Sequence, residues 1–195
     1  WGDNEHKQLG DGPKEITNAP VQINSDSDWT AVFASSGHTI AVKRDGSIWK
    51  WGRVTKDLKP RSIQEDGLVK LNINVPGVRR VISDDYWDLI LDTEGNLWGL
   101  GRIPPHLLGR RVSETIYTTP QKLVGSNWTE VNSWGWGGRI TCLKNDGSLW
   151  GGIGDDYGEF ASPAYRLGQR TDWLAAAPAW GPVVVLSKDG TVCRF

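Results

Sequence analysis

The sequence predicts an all-β fold of repeated four-stranded sheets stacked on one another, and three observations predict it. The first is a short stretch that returns: Asp45-Gly46-Ser47-Ile48-Trp49-Lys50-Trp51-Gly52, Glu94-Gly95-Asn96-Leu97-Trp98-Gly99-Leu100-Gly101, Asp146-Gly147-Ser148-Leu149-Trp150-Gly151 and Asp189-Gly190-Thr191-Val192-Cys193-Arg194-Phe195. An acidic residue and Gly between two apolar runs signal a hairpin, because Gly takes the positive φ of a tight primed turn at no steric cost. The second is the spacing: the four turn glycines are 49, 52 and 43 residues apart, a period that marks a repeat architecture. The third is the run before each glycine, Thr39-Ile40-Ala41-Val42, Asp88-Leu89-Ile90-Leu91, Ile140-Thr141-Cys142-Leu143 and Val183-Val184-Val185-Leu186. These runs are nearly continuously apolar, which suits a strand covered on both faces, so sheets must stack against sheets on both sides.

Each unit opens with a first strand 17 to 19 residues before its glycine, at Trp29, Val78, Trp128 and Trp173. A fourth run follows each Trp-Gly strand and its loop, at Pro20 to Ile23, Leu68 to Leu71, Pro120 to Leu123 and, more weakly, Pro163 to Arg166. Four antiparallel strands per unit and radial stacking of units describe a β-propeller. The expected blades cover roughly residues 1–52, 53–101, 102–154 and 155–195, together one domain over 1–195.

The first unit, with Trp1-Gly2-Asp3-Asn4, Gln8-Leu9-Gly10, Gly37-His38-Thr39 and the closing Trp51-Gly52, resembles the regulator-of-chromosome-condensation (RCC1-type) repeat. In the later units the Gly-His-Thr step reads Tyr86-Trp87-Asp88, Gly138-Arg139-Ile140 and Gly181-Pro182-Val183, so the histidine is kept once. RCC1-like propellers include partners of small GTPases, chromatin-associated proteins, ubiquitin-ligase domains and bacterial inhibitors of enzymes. The resemblance therefore implies a non-enzymatic scaffold that holds a protein partner, with no cofactor. Trp134-Gly135-Trp136-Gly137-Gly138-Arg139 also resembles the Trp- and Arg-rich repeats of plant ultraviolet-receptor propellers, in one unit only.

The chain carries 22 basic and 23 acidic residues for a net charge of −1, which argues against bulk attraction to nucleic acid or an anionic membrane. No apolar stretch approaches membrane-spanning length. The chain begins at Trp1 and contains no Met, which suits a mature product or a segment of something longer and fixes no compartment. Cys142 and Cys193 fall inside strands of adjacent units and are expected to behave as small buried hydrophobes rather than as a disulfide. The two ends complement each other, with Val21 to Asn24 expected as the fourth strand of the last unit, closing the ring. The alternatives are a piece of a larger propeller, or a dimer in which two chains complete one ring.

The tryptophans carry the sharpest functional signal. Trp49, Trp98 and Trp150 share a third-strand position and Trp29, Trp128 and Trp173 a first-strand position, which reads as packing. Replacing a buried third-strand indole with Ala is expected to cost about 3 to 5 kcal/mol. Trp87, Trp134, Trp136 and Trp180 fall outside that pattern, in the first-to-second connections, on the side of the disc that also carries the long third-to-fourth loops. Rigid aromatic side chains are favoured anchors for partners, and Tyr86, Asp84, Asp85, Arg139, Ser36 and His38 stand beside them to add polar specificity. The competing reading is that these rings plug the axis and meet no partner. A second functional class, a carbohydrate-binding or glycoside-processing propeller, would pair the same rings with Asp84, Asp85, Asp155 and Asp156 around an axial pocket.

The other candidates are weaker. His6, His38 and His106 match no zinc spacing, so no metal site is expected, and His38 reads as a structural histidine bonding a neighbouring blade. Gly151-Gly152-Ile153-Gly154 lacks the Lys and Ser or Thr of a phosphate loop. Arg79-Arg80 and Arg110-Arg111 read as solvated pairs flanking strands.

Overall fold

A computed structural model describes residues 2–10, 18–35, 37–55, 63–71, 75–83, 87–101, 103, 117–134, 139–152, 165–178 and 182–194. These residues form fifteen strands and no helix, in four antiparallel sheets that follow chain order. Sheet I holds β1 (Trp29–Ala34), β2 (His38–Lys43), β3 (Ile48–Thr55) and β4 (Ile63–Leu71); sheet II holds β5 (Val78–Ser83), β6 (Trp87–Asp92), β7 (Leu97–Gly101) and β8 (Tyr117–Lys122). Sheet III holds β9 (Trp128–Trp134), β10 (Arg139–Lys144), β11 (Leu149–Gly152) and β12 (Tyr165–Arg166), and sheet IV holds β13 (Trp173–Pro178), β14 (Val183–Ser187) and β15 (Val192–Arg194). The first strands meet in sequence, β1 against β5, β5 against β9 and β9 against β13. This is the expected propeller arrangement.

The second strands show why their sequences are continuously apolar. All six residues of β6 are buried, and successive side chains serve two different cores because strand side chains alternate faces. Ile90 packs with Ile40, Val42 and Ile48 of sheet I. Leu89 and Leu91 pack instead with Trp128, Val131 and Ile140 of sheet III. A third core joins Leu143 and Leu149 to Trp173, Ala176 and Val185 of sheet IV. The far side of sheet IV departs from the expectation of cover on both faces, with Val184 38% and Val192 66% exposed. Closure through Val21 to Asn24 is not seen: those residues lie outside any strand, and sheet IV has three strands among the described residues.

The hairpin turns differ in class from the expected primed turn, and all four differ in the same way. Gly46, Gly95, Gly147 and Gly190 accept φ of 81°, 81°, 77° and 85°. The bonds around the first, Gly46 N to the Lys43 carbonyl and Lys43 N to the Ser47 carbonyl, both 2.9 Å, define a three-residue loop. Such a loop is a type I turn followed by one left-handed residue, and that residue is the Gly. The acid before the Gly then has a role: Asp45, Asp146 and Asp189 each accept the amide of the residue after the Gly, at 2.8, 2.8 and 2.9 Å. In the second turn Glu94 holds that place, and Asp92, two residues earlier, accepts the Asn96 amide at 2.7 Å.

The third-strand tryptophans correct the sequence expectation. Trp49, Trp98 and Trp150 are half-buried, each with its indole N–H given to its own hairpin, to Ser47, Asp92 and Ser148 respectively. Lys43 sits 4.7 and 5.4 Å from the Trp29 and Trp49 rings, and Lys144 lies 4.9 and 4.4 Å from Trp128 and Trp150. These rings lie along the hairpin edge beneath a lysine, so truncation removes less buried area than the sequence implies. Trp49→Ala is expected to cost about 1 to 3 kcal/mol and Trp128→Ala, 4% exposed, about 3 to 5 kcal/mol. Denaturant melts that reverse this order would refute the assignment of the two positions.

The turn glycines also set where the next sheet starts. Trp128 N donates to the Gly95 carbonyl at 2.9 Å and Trp173 N to the Gly147 carbonyl at 3.2 Å. A Cβ on Gly147 would collide with the Thr171 carbonyl oxygen, whereas one on Gly46 would meet nothing within 4 Å. Gly46→Ala is therefore expected to cost only the left-handed backbone penalty of about 1 to 2 kcal/mol, and Gly147→Ala about 2 to 5 kcal/mol, because neighbouring backbone must also move. Equal shifts of the urea midpoint for the two variants would contradict this.

Candidate functional site: the connection face and the clasp beneath it

The first-to-second connections are closed by the strand pairs Ala34 with Thr39, Ser83 with Asp88, Trp134 with Arg139 and Pro178 with Val183. Each pair encloses four residues, so the connections are equal in length and their positions correspond one to one. The fourth position, adjoining the second strand, is held by His38 in sheet I and Trp87 in sheet II. Both side chains turn inward toward the next sheet, with His38 2% and Trp87 6% exposed.

This placement corrects two expected contact residues. Trp87 packs with Trp128, Val131 and Ile140 of sheet III and is a core ring, not an exposed anchor. His38 Nε2 lies 2.8 Å from Asp88 Oδ1 in sheet II, which agrees with the reading of His38 as a histidine bonding a neighbouring blade. In sheets I and II the cause is register: the residue that enters the central strand joins the alternation that feeds both cores. Of the remaining candidates, Trp134 ends β9 and Arg139 begins β10. Ser36, Asp84, Asp85, Tyr86, Trp136 and Trp180 lie outside the described residues, as do Asp155 and Asp156. By the same correspondence Ser36, Asp85, Trp136 and Trp180 all take the second position of their connections.

Beneath this face lies a buried charge cluster that the sequence reading missed. Asp88 is 2% exposed and receives Lys50 Nζ at 2.8 Å on the oxygen not facing His38. Burial alone would raise the Asp88 carboxyl, but the Lys50 and His38 charges and hydrogen bonds outweigh it and hold the group well below the usual carboxylate range. The only sequence signal was an acid in place of Thr39 at the start of an apolar strand. Cys142, by contrast, is an inert thiol, pushed up to about 12 by burial. Both cysteines are free. Among the described residues no three His, Cys, Asp or Glu side chains gather as a metal site, and no helix is long and apolar enough to cross a membrane.

The fold defines a class, the propeller-type proteins built from repeated four-stranded sheets. Within that class the chain's repeats are RCC1-like: the family model of the Regulator of chromosome condensation (RCC1) repeat matches residues 1–42, which include Gly37-His38-Thr39. The ultraviolet-B receptor UVR8 of Arabidopsis thaliana is 28% identical over 172 residues, covering 82% of this chain and 37% of the receptor. Protein RCC2 of Homo sapiens is 28% identical over 106 residues, 52% of this chain and 20% of that protein. Among solved structures, human WBSCR16 superposes with a TM-score of 0.76 at 18% identity, over 100% of this chain and 55% of that one. Prp20p from Saccharomyces cerevisiae, whose structure is described with its binding to Gsp1p and histones, gives 0.63 at 17% identity over 84% and 42%. The chain thus spans about half of WBSCR16 and less than half of each of the other three.

Replacing Asp88 removes the buried carboxylate that Lys50 and His38 share, so Asp88→Asn is expected to cost about 3 to 5 kcal/mol. The folded carboxyl lies below its unfolded value near 3.9, so its contribution is complete above about pH 5 and is lost as pH falls below about 4. Melts across that window should show the wild type losing stability with acid and the variant losing less. Parallel curves would remove the clasp from the account of stability.

Proposed function

We propose that this chain is a non-enzymatic protein-binding module, one domain over residues 1–195, that holds a protein partner on its connection face. The observation that carries the reading is the equal length of the four connections: inward positions such as His38 and Trp87 hold sheets together, while the second positions carry three residue types, Ser36, Asp85 and the two tryptophans Trp136 and Trp180. A constant frame with variable side chains at one position suits recognition of a specific surface. Trp136 and Trp180 are the proposed anchors, with Tyr86, Asp84, Asp85, Ser36, Trp134 and Arg139 around them. The likeness to Prp20p, described with Gsp1p and histones and, in a second structure, with Kap60, favours a protein over a sugar as the bound molecule.

The test is affinity capture with the wild-type chain, followed by equilibrium binding of the captured partner to Trp136→Ala and Trp180→Ala. Each variant is expected to weaken binding by about 2 kcal/mol, roughly 30-fold, as hot-spot aromatics do, with the urea midpoint nearly unchanged. Unaltered affinity in both variants, or a stability loss that accounts for the weakening, would sink the proposal.

A further inference from the structure

Where the first strands of the four sheets converge, the chain forms a cleft of about 600 Å³ whose walls come from β1, β5, β9 and β13. Clefts of 300 to 1,000 Å³ are of ligand-binding size. Its floor includes the buried Leu143, and its apolar walls are Phe33 and Leu174, the latter 56% exposed. Arg79 and Arg80 stand exposed at its edge on β5. Strand side chains ordinarily alternate faces, but the register shifts between Val78 and Arg80, and both arginines line the cleft.

The charges there are unbalanced and partly fixed. Arg80 Nη2 donates to Asn132 Oδ1 at 2.8 Å, and Asn132 Nδ2 donates to Glu130 Oε1 at 2.9 Å and to the Ala176 carbonyl at 2.7 Å. Arg80 is thus oriented by a neutral amide that leaves its charge intact, and the amide is tied to sheet IV. Arg79 has no ion-pair partner among the described residues. Two guanidinium groups and one carboxylate, Glu130, line the cleft beside exposed Leu174 and half-buried Phe33.

We propose that this cleft binds an extended acidic segment of a protein partner, its Asp or Glu side chains on Arg79 and Arg80 and its intervening apolar side chains against Leu174 and Phe33. An extended chain with alternating acidic and apolar residues places the two kinds on opposite sides at the period that a guanidinium edge and an apolar wall require. Planar guanidinium groups match carboxylates in bidentate geometry, which gives the segment its register. The site uses no residue of the connections.

The test is fluorescence anisotropy with the full chain and a labelled short peptide of alternating Leu and Glu, alongside its Leu and Gln counterpart and inorganic phosphate. The Glu peptide is expected to bind at least about tenfold more tightly than the Gln peptide, to weaken about tenfold in Arg79→Ala and in Leu174→Asp, and to bind unchanged in Trp136→Ala. No binding of the Glu peptide, equal binding of the two peptides, indifference to Arg79→Ala and Leu174→Asp, or phosphate binding as tight as the peptide would each overturn the proposal. Loss in Trp136→Ala alone would assign the peptide to the connection face and overturn it likewise.

Discussion

The hydrogen bonds that Trp128 and Trp173 give to the turn glycines Gly95 and Gly147 join the hairpin of one sheet to the entrance of the next. Each of these glycines closes its own three-residue loop and receives the following unit, so local turn geometry becomes the offset between sheets. Between sheets I and II no such bond occurs among the described residues, and there the His38, Asp88 and Lys50 cluster crosses the junction. The inner strands add a second ladder: Arg80 reaches Asn132 of sheet III, and Asn132 reaches the Ala176 backbone of sheet IV. Each junction is therefore fixed by polar contacts over an apolar core, since apolar packing alone is non-directional.

The units are alike in backbone and exchange side-chain solutions at equivalent places. Lys43 and Lys144 occupy the position three residues before the turn glycine where the unit offers two indoles in edge contact, centroids 6.3 and 6.1 Å apart. The second unit opens with Val78 instead of Trp, and Asp92 takes the lysine's place, buried and accepting the Trp98 indole N–H at 2.8 Å. In the fourth unit Ser187 stands there, and Arg170 covers Trp173 at 4.3 Å. A cation over an indole contributes about 0.5 to 1 kcal/mol at exposed sites. The substitutions are coordinated within a unit, so degeneracy of the repeat is not decay.

Much of this was legible in the sequence. The strands were readable because turn glycines and apolar runs are local signals, and the half-buried face of β1, which alternates strictly, follows from the same rule. The turn class was not, since an Asp-Gly pair serves both two- and three-residue loops and only the pairing of Lys43 with Ser47 separates them. The extension of β3 to Thr55 and of β4 back to Ile63 was missed because Arg53-Val54-Thr55 and Gln64-Glu65-Asp66 carry no apolar alternation. Trp87 was misjudged for a related reason: whether a connection residue faces solvent or core is set by the register Ser83 to Asp88, which composition does not encode. The cleft went unread because its walls come from the first strands of four different sheets, which no local pattern brings together.

Register also bears on how such a frame acquires specificity. The inward fourth position at His38 and Trp87 is committed to stability, one through its contact with the Asp88 carboxylate and one through an indole, and a change there must satisfy the neighbouring sheet. The residues proposed for recognition, Ser36, Asp85, Trp136 and Trp180, come at the second position of the connections in sequence. In the axial cleft the same separation holds: Asn132 bridges sheets and orients Arg80, while Arg79 is attached to nothing described. Under the proposed function, recognition would change at positions outside these junction contacts, which is the physical condition for one frame to hold different partners.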